Sequence, residues 1–171
     1  MEKLKNFIRD VPDFPTKGIL FRDITPLLGS PDIFRKTIDI LCEPYVESTI
    51  DVVVGIESRG FIFGAAMAYK LGAAFVPIRK PGKLPCEVER EEYSLEYGTD
   101  AIEIHKDAFR KGAKVLMVDD LLATGGTMSS ACKLVERLGG EIVEVVFLIE
   151  LTDLKGRDKL RDYRVRTVIS Y

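Results

Sequence analysis

The sequence predicts an α/β fold, a mostly parallel twisted sheet with flanking helices. Three observations carry that expectation. Short apolar, β-branched runs recur along the chain: DVVVGI (51–56), AAFVPIR (73–79), KVLMV (114–118), EIVEVVFLIEL (141–151) and VRTVIS (165–170). Runs of this kind suit strands buried on both faces. Helical stretches intervene, GFIFGAAMAYKLG and GTMSSACKLVERLGG, each stopped by glycine. Strand and helix therefore alternate, which argues for parallel strands joined by right-handed crossovers. The 171 residues suit one domain with a substantial core, expected here to span 1–171.

Taken in order, residues 2–9 read as a short helix, and Pro12, Pro15 and Gly18 then break the chain. GSPDIFRKTIDILCEPYVE has a strong helix start, with Ser30 as N-cap, Pro31 at the first position and Asp32 in the first turn. Ile33, Phe34, Ile38 and Leu41 give that helix an apolar face. DVVVGI is the candidate central strand, and AAFVPIR follows its crossover helix with Gly72 as the stop. KVLMV, its crossover helix and the two last strands complete the sheet. No internal repeat or low-complexity linker interrupts the series.

Composition excludes several function classes. Apolar residues make up 46% and charged residues 30%, as in an ordinary globule. A net charge of −2 gives no global basic field, so neither nucleic acid nor an anionic membrane is an expected partner. Cys42, Cys86 and Cys132 are widely spaced, His105 is the single histidine, and no CxxC pair occurs. A disulfide framework or a zinc site is not expected, and a reducing cytoplasm is. The stretch MEKLKNFIRDVPDF has no apolar core of signal-peptide length. No apolar run reaches the roughly 18 residues that span a bilayer.

The chemistry concentrates in VLMVDDLLATGGTM (115–128). In a sheet of this type ligands bind beyond the carboxyl ends of the strands, and this stretch joins a strand end, a loop and a helix start. Ala123, Thr124, Gly125, Gly126 and Thr127 are small, so their amides can turn inward. They lie where unpaired helix amides and the positive dipole end converge, an arrangement that suits phosphate. A Gly-Gly turn alone is equally well a tight, threonine-capped turn. Asp119 and Asp120 alter that balance. Ionised carboxylates only accept hydrogen bonds, so they suit two vicinal ribose hydroxyls or the water shell of magnesium. A phosphate cradle one ribose-length beyond two hydroxyl acceptors reads as a ribose-5-phosphate site. GxxxxGK[ST] and GxGxxG are both absent, which disfavours P-loop and dinucleotide readings.

VLMVDDLLATGGTM resembles the 5-phosphoribosyl-1-pyrophosphate (PRPP) signature of the type I phosphoribosyltransferases, and its LLATGGT form resembles that of the family's adenine-using branch. FPTKGILFRDITPLL (14–28), VVVGIESRGFIFG (52–64), VPIRKPGKLP (76–85) and YSLEYGTDAIEIHKDA (93–108) resemble further segments of that branch, in the same order. The resemblance implies transfer of 5-phosphoribosyl from PRPP to adenine N9, giving AMP and pyrophosphate. It also implies Mg²⁺ held mainly through PRPP and water near Asp119 and Asp120, and a homodimer. A hood over the base would span 1–30 and a flexible flap 80–103.

Residue by residue, the resemblance gives Ala123, Thr124, Gly125, Gly126 and Thr127 to the 5′-phosphate, and Asp119 and Asp120 to the ribose. Ser58, Arg59, Arg79 and Lys83 go to pyrophosphate, and a cis peptide is implied at Glu57–Ser58. Backbone groups near Leu20 and Arg22 would grip the base, with Phe21 stacked on one face and Leu121 on the other. Glu96, carried by the flap, would exchange the N9 proton, with Tyr97 beside the reacting centre; Arg59 joins Glu96 in the catalytic set. Taken without the family, Arg59 reads as a surface arginine, Lys83 as part of a basic loop, and Glu96 as a solvated strand residue in EREEYSLEY. Two alternatives stay open. One is the same chemistry on hypoxanthine, guanine or xanthine. The other is a PRPP-sensing regulator without turnover, which would need a nucleic-acid surface, and no concentrated Lys/Arg stripe is seen.

Overall fold

A computed structural model describes residues 2–94 and 99–171. Its centre is a five-stranded, wholly parallel sheet built from β3 (Val52–Ile56), β4 (Ala74–Ile78), β7 (Lys114–Leu122), β8 (Glu141–Glu150) and β9 (Val165–Ser170). Their order across the sheet is β4-β3-β7-β8-β9. Helices α4 (Gly60–Leu71) and α5 (Gly126–Arg137) are the crossovers expected from the glycine-terminated stretches. Gly72 caps α4 in the left-handed region at φ 66°, which glycine adopts without a side-chain clash.

Alternate residues of each strand feed two cores. Val53, Leu116, Val118 and Val146 face one side, where α3 (Pro31–Cys42) and α4 contribute Ile38, Leu41, Phe63 and Met67. Val52, Val54, Val115, Met117 and Phe147 face the other, where α5 contributes Met128, Ala131 and Leu134. β3 and the Val115–Val118 stretch of β7 are therefore apolar throughout rather than alternating, because both of their faces are covered.

Two antiparallel ribbons flank this sheet. β1 (Arg9–Pro12) pairs with β2 (Leu20–Asp23), and β5 (Val88–Ser94) pairs with β6 (Thr99–His105). The first departs from the sequence expectation. The helix expected over 2–9 stops at Lys5 (α1, Glu2–Lys5), because the chain beyond it pairs across the ribbon. Arg9 lies opposite Asp23 and Asp10 opposite Arg22, so opposite charges meet in the register. A short helix, α2 (Thr25–Leu28), then leads into α3. Ser30 precedes Pro31 as expected, but its side chain makes no capping bond; its carbonyl accepts from the Phe34 amide at 2.8 Å.

The strand expected over 114–118 runs on to Leu122, so the aspartates stand in the strand and not in the loop after it. β8 continues alongside, with Asp119 opposite Phe147 and Leu122 opposite Glu150. The second ribbon is tied to the sheet by mutual backbone bonds between Arg79 and Glu103, at 2.9 and 2.8 Å. Ile102 and Ile104 of β6 are buried in the α5-side core. Within the segment 80–103, expected as a flap, Ala101, Ile102 and Glu103 are buried at the base of this ribbon, while the described residues from 80 to 93 are half-buried or exposed.

Candidate active site

β3 and β7 are neighbours, but their crossover helices leave to opposite faces of the sheet. A crevice opens where the strand order reverses, beyond the carboxyl ends of these two strands. Two adjoining cavities fill it. The larger, of about 290 Å³, is lined by Glu57, Ser58, Arg59, Lys80, Tyr93, Asp119, Asp120, Leu121 and Thr127, with isoleucines behind. The smaller, of about 90 Å³, is lined by the whole run from Leu121 to Met128 together with Asp119. Asp119, Leu121 and Thr127 border both.

The turn after β3 approaches β7 closely. A Cβ on Gly60 would lie 2.8 Å from the Asp119 carboxylate and 2.9 Å from the Val118 carbonyl, so only glycine fits there. The Glu57–Ser58 peptide is cis, as the resemblance implies. Arg59 Nε sits 2.8 Å from Asp120 Oδ2, and its guanidinium carbon lies 5.2 Å over the Phe21 ring. Asp119 accepts a 2.9 Å bond from the Asp120 amide. Burial raises the pKa of both carboxyls; Asp120's charge pushes Asp119 higher still, while Arg59 draws Asp120 back. Two close, desolvated carboxylates hold a proton more readily than either alone.

Glu57 gathers the basic residues of the loop after β4. Its carboxylate accepts from Lys83 Nζ at 2.7 Å, the Lys80 amide at 3.0 Å, and Arg79 Nη2 and Nε at 3.2 and 3.3 Å. Burial opposes its ionisation, but these donors outweigh burial and hold the carboxyl at about 2. Lys80 turns the other way, into the larger cavity, pairing with Asp100 and reaching the Tyr93 hydroxyl at 3.1 Å.

The loop 123–127 takes its shape from a partner distant in sequence. Gly125 has φ 74°, and a Cβ there would meet the Gly156 carbonyl oxygen at 2.3 Å. A Cβ on Gly156 would meet the Ala123 carbonyl at 2.2 Å and Leu122 Cδ1 at 2.8 Å. Two backbones therefore lie in direct contact, and the glycines serve that contact as much as any phosphate.

The predicted site residues are thus distributed unevenly. Ser58, Arg59, Asp119, Asp120, Leu121 and the loop 123–127 surround the joined cavities. Arg79 and Lys83 stand behind Glu57, outside that lining. Leu20, Phe21 and Arg22 lie on β2, also outside it, connected through Arg59 over Phe21. The Arg22 side chain packs 3.7 Å over the Tyr171 ring and pairs with Asp10, while its buried Nε has no hydrogen-bond partner among the described residues. Glu96 and Tyr97 lie outside the described residues. Sequence reasoning did not single out Tyr93, Asp100, Gly156 or Lys159, and assigned Lys80 no role; Lys80, Tyr93 and Asp100 lie within segments that resemble the family's, whereas Gly156 and Lys159 lie in none. His105, Cys42, Cys86 and Cys132 line neither cavity, and all three cysteines are free.

Comparison with known proteins bears on this geometry. The family model described as phosphoribosyl transferase domain matches residues 28–170. An adenine phosphoribosyltransferase of Geobacter metallireducens is 58% identical over 171 residues, covering all of both chains. The crystal structure of adenine phosphoribosyltransferase from Thermoanaerobacter pseudethanolicus superposes with a TM-score of 0.95 at 52% identity, covering 99% of each chain. The Saccharomyces cerevisiae enzyme, complexed with an imino-altritol bisphosphate and adenine, gives a TM-score of 0.93 at 46% identity, covering 98% of this chain and 97% of that one.

Proposed function

The chain belongs to the phosphoribosyltransferase family, and from that premise we propose how its crevice carries out the reaction. It transfers the 5-phosphoribosyl group of PRPP to adenine, giving AMP and pyrophosphate in purine salvage. The observation that carries this reading is the pair of joined cavities: an amide-rich one beside a carboxylate-floored one, with Asp119 and Thr127 common to both.

The amides of 123–127 hold the 5′-phosphate at the start of α5, where the helix dipole favours an anion. Asp119 and Asp120 accept from the ribose hydroxyls, a role that a carboxyl oxygen fills whether or not the pair holds a proton. Ser58 and Arg59 face the pyrophosphate, joined by Arg79 and Lys83 when the anion draws them from Glu57. Adenine lies between Phe21 and Leu121, gripped by the backbone at Leu20 and Arg22. The C1′–oxygen bond to pyrophosphate breaks through an oxocarbenium-like state. Adenine N9 bonds to C1′ from the opposite face, so an α donor gives a β nucleotide. The N9 proton passes to Glu96, with Tyr97 alongside. Positioning and charge stabilisation supply most of the acceleration.

Mg²⁺ is proposed as cofactor. Among the described residues no cluster of three or more His, Cys, Asp or Glu forms a metal site. Two neighbouring carboxylates fit a hard cation held mainly by pyrophosphate oxygens and water. When bound it would neutralise charge on the leaving pyrophosphate. A homodimer is proposed as well, from the family resemblance. A cytoplasmic setting is proposed from the three free cysteines; among the described residues no helix is long and apolar enough to cross a membrane.

Incubation with PRPP and each purine base, followed by chromatography, tests base choice. AMP formation from adenine, with little product from hypoxanthine, guanine or xanthine, is the expected result. Preferential turnover of another base would reassign the substrate, and absent turnover with nucleic-acid binding would favour a regulator.

A further inference from the structure

We propose that Lys159 is a ligand for the 5′-phosphate, placed by the turn Gly156–Leu160 that braces the 123–127 loop. The proposal rests on that loop being the phosphate cradle. It begins from the contact between the two backbones. Gly156 packs so closely on Ala123 and Gly125 that a side chain on either glycine would strike a carbonyl, at 2.2 to 2.3 Å. The turn that follows is therefore fixed relative to the loop. Three residues on, it carries the Lys159 ammonium to 3.6 Å from where a Cβ on Gly126 would stand, beside the first residue of α5.

Of the neighbouring cations, the two arginines are occupied, while Lys155 belongs to the turn just before Gly156. Arg157 is bonded to Glu150 at 2.7 and 2.8 Å, to the Thr167 hydroxyl and to the Val165 carbonyl. Arg161 is paired with Asp158 at 3.0 Å. Lys159 makes no ion pair and donates no side-chain hydrogen bond among the described residues. Its location is unfavourable without a guest, since a cation beside a helix N-terminus opposes the dipole. An anion lodged between the two reverses the sign of both interactions.

The balance of charge in the crevice asks for such a cation. A phosphomonoester carries close to two negative charges near neutral pH. Its cradle shares Asp119 with the larger cavity, and Asp120 is adjacent. Loop amides and the helix end together supply about half a positive charge. The two cations lining the larger cavity are both committed, Arg59 to Asp120 and Lys80 to Asp100. A lysine ammonium serves here as a point charge with rotatable donors, and it needs no bidentate geometry.

The test compares AMP with adenosine, which differ only in the phosphate. Lys159→Met and Lys159→Arg are titrated calorimetrically with each ligand, and their steady-state constants for PRPP and adenine are measured. An exposed charge-assisted bond predicts about a tenfold loss of AMP affinity in Lys159→Met. Adenosine affinity should be unchanged, and Lys159→Arg should recover most of the loss. The KM for PRPP should rise by a similar factor, while kcat at saturation and the KM for adenine stay within about threefold. A folded Lys159→Met that keeps the full preference for AMP overturns the assignment of Lys159 alone. Equal weakening of AMP and adenosine overturns it too, by revealing a merely structural role. A wild-type protein that binds AMP no better than adenosine overturns the phosphate cradle itself.

Discussion

Glu57 shows how a single carboxylate can organise a loop. It accepts from Lys83, Arg79 and the Lys80 amide together, and these donors hold its carboxyl at about 2 against an ordinary 4.5. A depressed carboxyl adds stability that is present above its ordinary value and is lost as pH falls towards the folded one. The contribution of Glu57 should therefore be complete at neutral pH and fade between about 4.5 and 2. Glu57→Gln should be less stable than the parent at pH 7, and denaturant midpoints should converge as the pH is lowered through that window. A stability gap that stays constant with pH would mean that charge at Glu57 is not the cause. Glu96 is a residue-scale proposal of another kind, since it rests on chemistry and resemblance. Glutamine there keeps size and polarity but takes no proton. Glu96→Gln should lower kcat by roughly 10²-fold with PRPP affinity little changed. Undiminished kcat under conditions where chemistry limits the rate would remove Glu96 from the mechanism.

At the scale of elements, the apolar strands of the sheet were legible because each is buried on both faces and carries few polar residues. β5 and β6 were not, because VEREEYS and TDAIEIH expose charged residues. Their support comes from elsewhere, for example Arg137 of α5 bonded to Glu89 and Glu91 at 2.9 and 2.5 Å. The aspartates and glycines of 119–126 pointed to a site, since like charges at a strand end have few structural uses. What the sequence did not reveal was the purpose of each glycine. Gly125 reads locally as room for a phosphate, whereas its absent side chain would point at Gly156. A Gly125→Val change would therefore disturb the brace before it met any ligand. Gly156→Ala isolates the brace, because it alters no residue of the loop itself. Its Cβ would overlap the Ala123 carbonyl, so the loop must shift, at a cost of about 1–3 kcal/mol typical of overpacking. Thermal unfolding should fall accordingly and the KM for PRPP should rise. A variant with parental melting and parental KM would show that the two backbones can part freely.

For the whole molecule, the sheet supplies a rigid floor while two ribbons stand at its rim, one bearing Phe21 and the other Tyr93. Sequence alone could not say how each ribbon meets the floor. Arg59 and the Arg79–Glu103 bridge make those connections, and both are long-range contacts with no local signature. Assembly is a further question at this scale. Light scattering at working concentration should give twice the chain mass if the proposed homodimer forms. A fully active monomer would dispose of the dimer proposal.

Arg59 gives the molecule one more property. The same guanidinium touches Asp120, under the proposed ribose position, and lies over Phe21, beside the proposed base position, at 2.8 and 5.2 Å. A sugar hydroxyl that takes over Asp120 changes what Arg59 can offer the aromatic ring, and a base stacked on that ring changes what Arg59 can offer the carboxylate. The two ligands are then thermodynamically linked through one side chain. Linkage is reciprocal, so whatever factor the sugar phosphate confers on adenine affinity, adenine must return to the sugar phosphate in equal measure.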